Sequence, residues 1–417
     1  MYALVDANSF YCSCEQVFRP DLRNKPIVVL SNNDGCVVAA NKQALQAGIK
    51  KFEPFFKVRD LCALKGVVAQ SSNYELYADL SMKMMNVISR FAPDQHIYSI
   101  DESFLSFKRS AMPNSELYAH CVELRKTVWR ECRLPVAVGV AKTLTLSKIA
   151  NHAAKKLGYQ GVCVLDDREE VNQVLKQLPV SSVWGIGRQL TKRMMTMGIT
   201  TAYDLANYGI DKIERNFSID VVRTVRELNG EECLYWDNVR ANKKQIYSTR
   251  SVGERITDLI SLEQALIKHS CIAAKKARDQ GSLCKTVMFF ANTSPFDENP
   301  TNFKTIHEFE YSTNDSLHLS NIATKAAKEL FKQGVRYYKI GVGLIQLIDE
   351  KHYQNDLFNQ KPQNDELMNV FDGINRKYGT DTLFIAGQGI DQKWSMKREM
   401  LSPCYSTRWS DIPVIKC

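Results

Sequence analysis

Ile97-Tyr-Ser-Ile-Asp-Glu-Ser-Phe-Leu-Ser-Phe107 reads as an apolar strand interrupted by two adjacent acids, Asp101 and Glu102. A carboxylate set among strand-forming Ile, Phe and Leu costs several kcal/mol unless it is paired or binds a cation. Tyr2-Ala-Leu-Val-Asp6 has the same character, a short apolar strand that ends on an acid. If the two strands are neighbours, Asp6 and Asp101 face each other. Two or three converging carboxylates beside a triphosphate are what a two-Mg²⁺ centre needs. One ion lowers the pKa of an attacking hydroxyl and the other neutralises a leaving pyrophosphate. The residues alone leave a second reading open, with Asp6 as a strand-end cap and Asp101-Glu102 on an exposed edge.

Outward from these acids, 26–31 and 135–141 are further apolar strands. In 115–132, Leu117, Cys121, Leu124 and Val128 share one helical face, with Ser115 as N-cap. A second helix spans 143–157 and ends before Gly158. Residues 1–178 are therefore expected to form an α/β domain, one sheet covered by helices on a single face. Residues 179–239 hold short helical pieces around Gly185-Ile-Gly187. From 240 to 348 the pattern becomes α+β, with strands at 245–251, 285–293 and 337–348 and helices at 262–280 and 320–334. A polar stretch, 349–365, reads as a linker. Residues 366–417 carry apolar and aromatic side chains that must pack on something.

The chain's 417 residues suit two to four domains, and 44% apolar content excludes collagen-like, disordered and membrane classes. The net charge of +9 is uneven: +5 over 1–178, −1 over 179–239, +6 over 240–346 and −1 over 347–417. Two basic segments suit a nucleic acid, although an ordinary solvated surface has the same balance. No run of about 18 apolar residues marks a membrane span. Asp6 stands where a secretory leader would be basic and apolar. A cytoplasmic protein with no membrane partner is expected. The 12 cysteines form no Cys-x-x-Cys pair, so reduced thiols are expected and a structural zinc site is not.

Several motifs, in order, resemble the Y-family DNA polymerases, and within them the UmuC type. They are Asp6-Ala-Asn-Ser-Phe-Tyr11, Ser31-Asn-Asn-Asp-Gly-Cys36, Ser71-Ser-Asn-Tyr-Glu-Leu-Tyr77 and Tyr98-Ser-Ile-Asp-Glu-Ser-Phe104. Ser147-Lys-Ile-Ala-Asn-His-Ala-Ala-Lys-Lys156, Val183-Trp-Gly-Ile-Gly187 and Leu401-Ser-Pro-Cys-Tyr-Ser-Thr-Arg-Trp409 extend the resemblance to nearly the whole chain. It implies a multidomain, right-hand polymerase: palm and fingers (1–178), a helix-hairpin-helix thumb (179–239) and a little finger (240–348). A linker with a clamp-binding-like peptide (349–365) and a C-terminal region of the UmuC type (366–417) would follow.

The resemblance also implies roles. Asp6, Asp101, Glu102 and the Ala7 carbonyl would bind two Mg²⁺ ions. Phe10 and Tyr11 would contact the nucleotide, with Tyr11 as the steric gate that selects dNTP over rNTP. Lys155 would reach the triphosphate. Where the wider family has a Tyr and an Arg on the fingers helix, this chain has Lys42 and Leu45, so Lys42 is a candidate for the missing positive charge. Small residues at Val38-Ala39-Ala40 would roof the base pair loosely. Gly185 and Gly187 would approach a DNA phosphate through backbone N–H groups, and Lys243, Lys244, Arg250 and Arg255 are candidate phosphate contacts. Gln354, Leu357 and Phe358 resemble a sliding-clamp-binding peptide, with Asn355 in place of its first Leu. The implied activity is error-prone synthesis past damaged template in an SOS-type response. Implied partners are primer-template DNA, dNTP, a processed UmuD-like dimer, a RecA filament and the clamp. Two other readings share part of the pattern: another two-metal palm enzyme such as a nucleotide cyclase, and a catalytically silent DNA-binding accessory protein.

Overall fold

The computed structural model describes residues 1–236, 242–354, 364–412 and 414. The chain forms two compact units, Met1–Val239 with Met400–Cys417, and Arg240–Glu399. The C-terminal region expected at 366–417 is thus divided between them.

The first unit holds β1 (Tyr2–Ala7), β2 (Ile27–Leu30), β3 (Val37–Ala40) and β4 (Val68–Ser71). Then come β5 (Asp94–Ile97), β6 (Glu102–Ser106), β7 (Val136–Ala141) and β8 (Val162–Leu165). Two sheets share them rather than one: β5-β6-β1-β7-β8 and β3-β2-β4. The apolar run around Ile27 therefore lies in the smaller sheet, over its own core of Val28, Leu30, Val37 and Ile49. The stretch 97–107 is not one strand either. It is the end, turn and return arm of a β5–β6 hairpin, with Ile97 opposite Ser103. The turn closes because the Ser99 hydroxyl accepts from the Asp101 and Glu102 N–H groups at 3.2 and 3.1 Å.

The accompanying helices are α1 (Phe10–Val17), α2 (Lys42–Gln46), α3 (Phe55–Leu64), α4 (Tyr74–Ile88), α5 (Leu117–Cys132), α6 (Leu144–Lys156) and α7 (Arg168–Gln177). On one face of the larger sheet Ala3, Val5, Leu105 and Val138 pack with Cys121, Leu124 and Val128 of α5. Burying each such Val or Leu stabilises by about 2 kcal/mol. A 3₁₀ turn at Asn114–Glu116 precedes α5, so Ser115 does not cap it. α6 covers the opposite face, and helices therefore lie on both faces instead of one. Asn151 on α6 donates to the Leu4 and Ala137 carbonyls at 3.1 and 2.9 Å. The approach is so close that a Cβ at Gly139 would stand 1.9 Å from the Asn151 nitrogen, and only glycine fits there.

Beyond α7 a 3₁₀ turn, Val180–Ser182, leads through Gly185 (φ +86°) to Gly187, which caps α8 (Arg188–Thr196). The hairpin's first arm is thus a single turn. Helices α9 (Ala202–Asn207), α10 (Ile210–Asn216) and α11 (Ile219–Leu228) complete a cluster whose core includes Met194, Leu205, Ile213 and Val225.

The second unit is a four-stranded antiparallel sheet with two helices on one face. Its strands are β9 (Ile246–Ile256), β10 (Ser282–Asn292), β11 (Asn302–Thr313) and β12 (Tyr337–Asp349), in the order β11-β10-β12-β9. The helices are α12 (Leu259–Asp279) and α13 (Ser316–Leu330). β11 lies outside the strands read from the sequence. It is a sheet edge whose Asn302, Lys304, Ile306 and Glu308 are exposed, and it lacks a continuous apolar signal. Helix α14 (Asp365–Tyr378) is tied to α12 by a nearly buried Arg278–Asp372 ion pair at 2.7 Å. Trp394 enters the core of this unit, and its carbonyl accepts from the Gly253 N–H at 3.2 Å. No helix among the described residues is long and apolar enough to cross a membrane.

Candidate active site

β1 and β6 pair so that Asp6 lies opposite Glu102 rather than Asp101, which stands in the turn before β6 because the strand begins at Glu102; the Ala7 N–H donates to the Asp101 carbonyl at 3.0 Å. Side chains alternate along a strand, so Asp6 shares a face with Tyr2 and Leu4, and Glu102 with Phe104. That is the face covered by α6. α6 brings two lysines, two turns apart, onto the acids. Lys155 Nζ is 2.7 Å from Asp6 Oδ1, and Lys148 Nζ is 2.8 Å from Glu102 Oε1. Asp101, in the hairpin turn, accepts from the Ser99 hydroxyl at 2.6 Å. Burial pushes the Asp6 carboxyl above its ordinary range. The Lys155 ammonium opposes that shift, and the Glu102 and Asp101 carboxylates add to it.

Among the described residues no three His, Cys, Asp or Glu side chains are grouped as a ready metal cage. Asp6 and Glu102 are each turned onto one of the lysines. The donor set itself fits a hard divalent cation: three carboxylates from two paired strands and the turn between them, all oxygen. Both ion-paired acids keep about a fifth of their side chains open to solvent.

A cleft of about 280 Å³ gathers Asp6, Ala7, Phe10, Tyr11, Asp101 and Lys155. Phe10 and Tyr11 begin α1, and the left-handed residue before them is Ser9 (φ 46°). Their backbone N–H groups stand in a first turn, where a helix offers them no carbonyl. Tyr11 lies on Tyr77 with ring centroids 4.7 Å apart and planes 20° from parallel. Tyr74 meets it edge-on at 6.1 Å. Val38 and Ala39 of β3 supply small side chains to the cleft wall. Lys42, the first residue of α2, is exposed and is not among the cleft's lining; Lys51 is.

Sequence reasoning missed Lys148 and Lys51. Lys148 is held 4.5 Å from the Tyr98 ring centroid and 5.2 Å from that of Trp184. Its seven-residue spacing from Lys155 in one helix is a signal that could have found it. In the helical cluster, Gly185 and Gly187 flank the buried Ile186.

In the second unit Lys243 and Lys244 are exposed. Arg250 falls on the helix-covered side of β9 with Ile246 and Ser248, and donates to Met396 Sδ at 3.2 Å. Arg255 pairs with Asp297 at 2.9 Å. The uncovered sheet face carries Lys304 opposite Phe290 and Lys339 opposite Ser251, neither of which was singled out from sequence. Of the clamp-like peptide only Gln354 falls within the described residues; Leu357 and Phe358 lie outside them.

The chain is 42% identical to Protein UmuC of Salmonella typhimurium, over all of both chains. It belongs to the UmuC branch of the Y-family DNA polymerases. The impB/mucB/samB family model matches residues 5–152 of this polymerase, and that family's C-terminal-domain model matches 243–357. A domain of unknown function matches 365–415. Protein MucB of Escherichia coli is 40% identical over 99% of each chain. DNA polymerase IV 2 of Bacillus subtilis is 25% identical over 93% of this chain and 94% of that one. The fold matches a Dbh-based Y-family polymerase chimera with a TM-score of 0.63 at 20% identity, covering 83% of this chain and 99% of the other. The protein is a DNA-directed DNA polymerase of the error-prone, translesion class, with a right-hand fold. As a DNA polymerase it acts on DNA and dNTP, and Y-family DNA polymerases generally use divalent metals.

Proposed function

We propose that Asp6, Asp101 and Glu102 are the metal-binding carboxylates with which this polymerase extends a primer opposite damaged template. One observation carries the assignment: Asp6 faces Glu102 across β1–β6, and Asp101 opens from the adjoining turn onto the cleft that holds Tyr11 and Lys155. Bound there and to the Ala7 carbonyl, two Mg²⁺ ions would supply a more acidic primer hydroxyl and neutralise the departing pyrophosphate. Lys155, in the same cleft, would meet the triphosphate as a flexible point charge. Lys42 and Lys51 add positive charge on the fingers side. The first-turn N–H groups of Phe10 and Tyr11 meet phosphate oxygens, and the Tyr11 ring fills the space of a ribose 2′-OH. Val38 and Ala39 press little on the base pair, so shape discriminates weakly and a distorted base is tolerated.

In this reading 1–178 are palm and fingers, 179–239 the thumb and 240–348 the little finger. Backbone N–H groups around Gly185 and Gly187 contact phosphate in the thumb. In the little finger Lys243 and Lys244 stay candidate phosphate contacts and are joined by Lys304 and Lys339 on the open sheet face, whereas Arg250 and Arg255 are held by Met396 and Asp297. Resemblance supports three macromolecular partners: a processed UmuD-like dimer, a RecA filament and a sliding clamp bound through Gln354, Leu357 and Phe358. It also supports a cytoplasmic site of action.

Primer extension past a template lesion, with and without those partners, tests the assignment. Asp101→Ala should abolish extension while DNA binding persists; normal extension by that variant sinks the metal assignment. Tyr11→Ala should raise rNTP use relative to dNTP by roughly ten- to a hundredfold.

A further inference from the structure

Two of the motifs quoted above, Ser71–Tyr77 and Leu401–Trp409, meet in the first unit although more than 300 residues separate them. The Ser71 N–H donates to the Met400 carbonyl, and the Met400 N–H to Ser71 Oγ, both at 2.9 Å. Asn73 Nδ2 donates to the Ser402 carbonyl at 3.1 Å and to Ser402 Oγ at 3.0 Å. The same Asn73 caps α4, accepting from the Leu76 N–H at 3.2 Å. Tyr405 stacks on Phe18, at the end of α1, with centroids 5.0 Å apart.

Beneath this contact lies a carboxylate that the mechanism does not use. Glu15 is only 2% exposed, in α1 one turn beyond Tyr11. The Tyr77 hydroxyl donates to it at 2.5 Å, and the Ser402 hydroxyl beside it opposes the upward push of burial on its pKa. A buried carboxylate needs such donors, because removing one leaves charge without solvent or partner. Tyr77, itself fully buried, is the ring on which Tyr11 stacks.

We propose that Ser402 is a positioning residue for nucleotide sugar selection, acting through Glu15 and Tyr77 on the Tyr11 ring. The proposal rests on the reading of Tyr11 as the sugar gate and extends it. Ser402 accepts from Asn73, which caps α4 one turn before Tyr77, and stands beside Glu15; Glu15 fixes the Tyr77 hydroxyl, and the fixed Tyr77 ring sets the plane and depth of Tyr11. The C-terminal segment thereby supports the gate without touching nucleotide.

Single-nucleotide primer extension with the full chain, and whatever partners the wild type needs, gives kcat/KM for a dNTP and the matching rNTP. Ser402→Ala should lower the dNTP-over-rNTP preference about three- to tenfold, the scale of one lost ordinary hydrogen bond. Ser402→Thr, which keeps the hydroxyl, should restore the preference. Tyr77→Phe keeps the ring, removes the donor and should lower the preference like Ser402→Ala. It decides alone if the alanine variant does not fold. Adding Ser402→Ala to Tyr11→Ala should change the preference no further. If Ser402→Ala and Tyr77→Phe lower both kcat/KM values equally and leave their ratio unchanged, the segment is only structural and the proposal is overturned. If Tyr11→Ala itself leaves the ratio unchanged, the gate reading fails and Ser402 loses its role with it.

Discussion

His269 sits in α12 with Nδ1 2.8 Å from the Ser248 hydroxyl, almost sealed from solvent. Burial holds its pKa down to about 4, and Arg250, Lys268 and Lys276 push the same way. In the unfolded chain the ring titrates near 6.5. Between those values the unfolded state binds a proton that the folded state refuses, so stability falls as pH falls from about 6.5 to about 4. From pH 7 to pH 5 the second unit should lose on the order of 2 kcal/mol on this account. Thermal melts at the two pH values check it: His269→Asn should flatten the difference, and an unchanged difference removes His269 as the cause. At this scale the pairing of the two acid-bearing segments was legible, because a carboxylate in an apolar strand demands an explanation. Lys51 was not, and Lys148 only through its spacing from Lys155. Their place depends on which helix covers the sheet and how the turn after α2 runs, and both are tertiary facts.

The α6–sheet contact is the element on which site geometry depends, since α6 carries both lysines that meet the acids. Gly139 is its weak point. Gly139→Ala would drive a methyl group into the Asn151 backbone, and α6 must lift to admit it. The expected cost is about 2–3 kcal/mol, read from chemical denaturation, together with weakened primer extension. A variant as stable as the wild type would show that the helix yields without penalty. Element boundaries were legible where periodicity was strong, as in α5 and β12. They failed where side chains bonded their own backbone, as Ser99 does in the β5–β6 turn. They failed also where an edge strand needed no apolar run, as in β11. The division into two sheets was hidden because β2 is as apolar as β1, and apolarity does not name a neighbour.

At the scale of the whole molecule the basic surplus falls in segments 1–178 and 240–346, the first holding the cleft and the second the open sheet face. The chain passes between its units at two places, 239/240 and 399/400. One cleavage at the first junction yields 1–239 and 240–417, yet the second fragment's last segment is a built part of the first fragment's fold, hydrogen-bonded to Ser71 and Asn73. A chain nicked at an engineered site there should elute as one species in gel filtration; elution as two would show the tail too weak to hold. The returning C-terminus thus makes the polymerase a pair of self-complementing fragments, which one protease cut can interrupt covalently without dismantling.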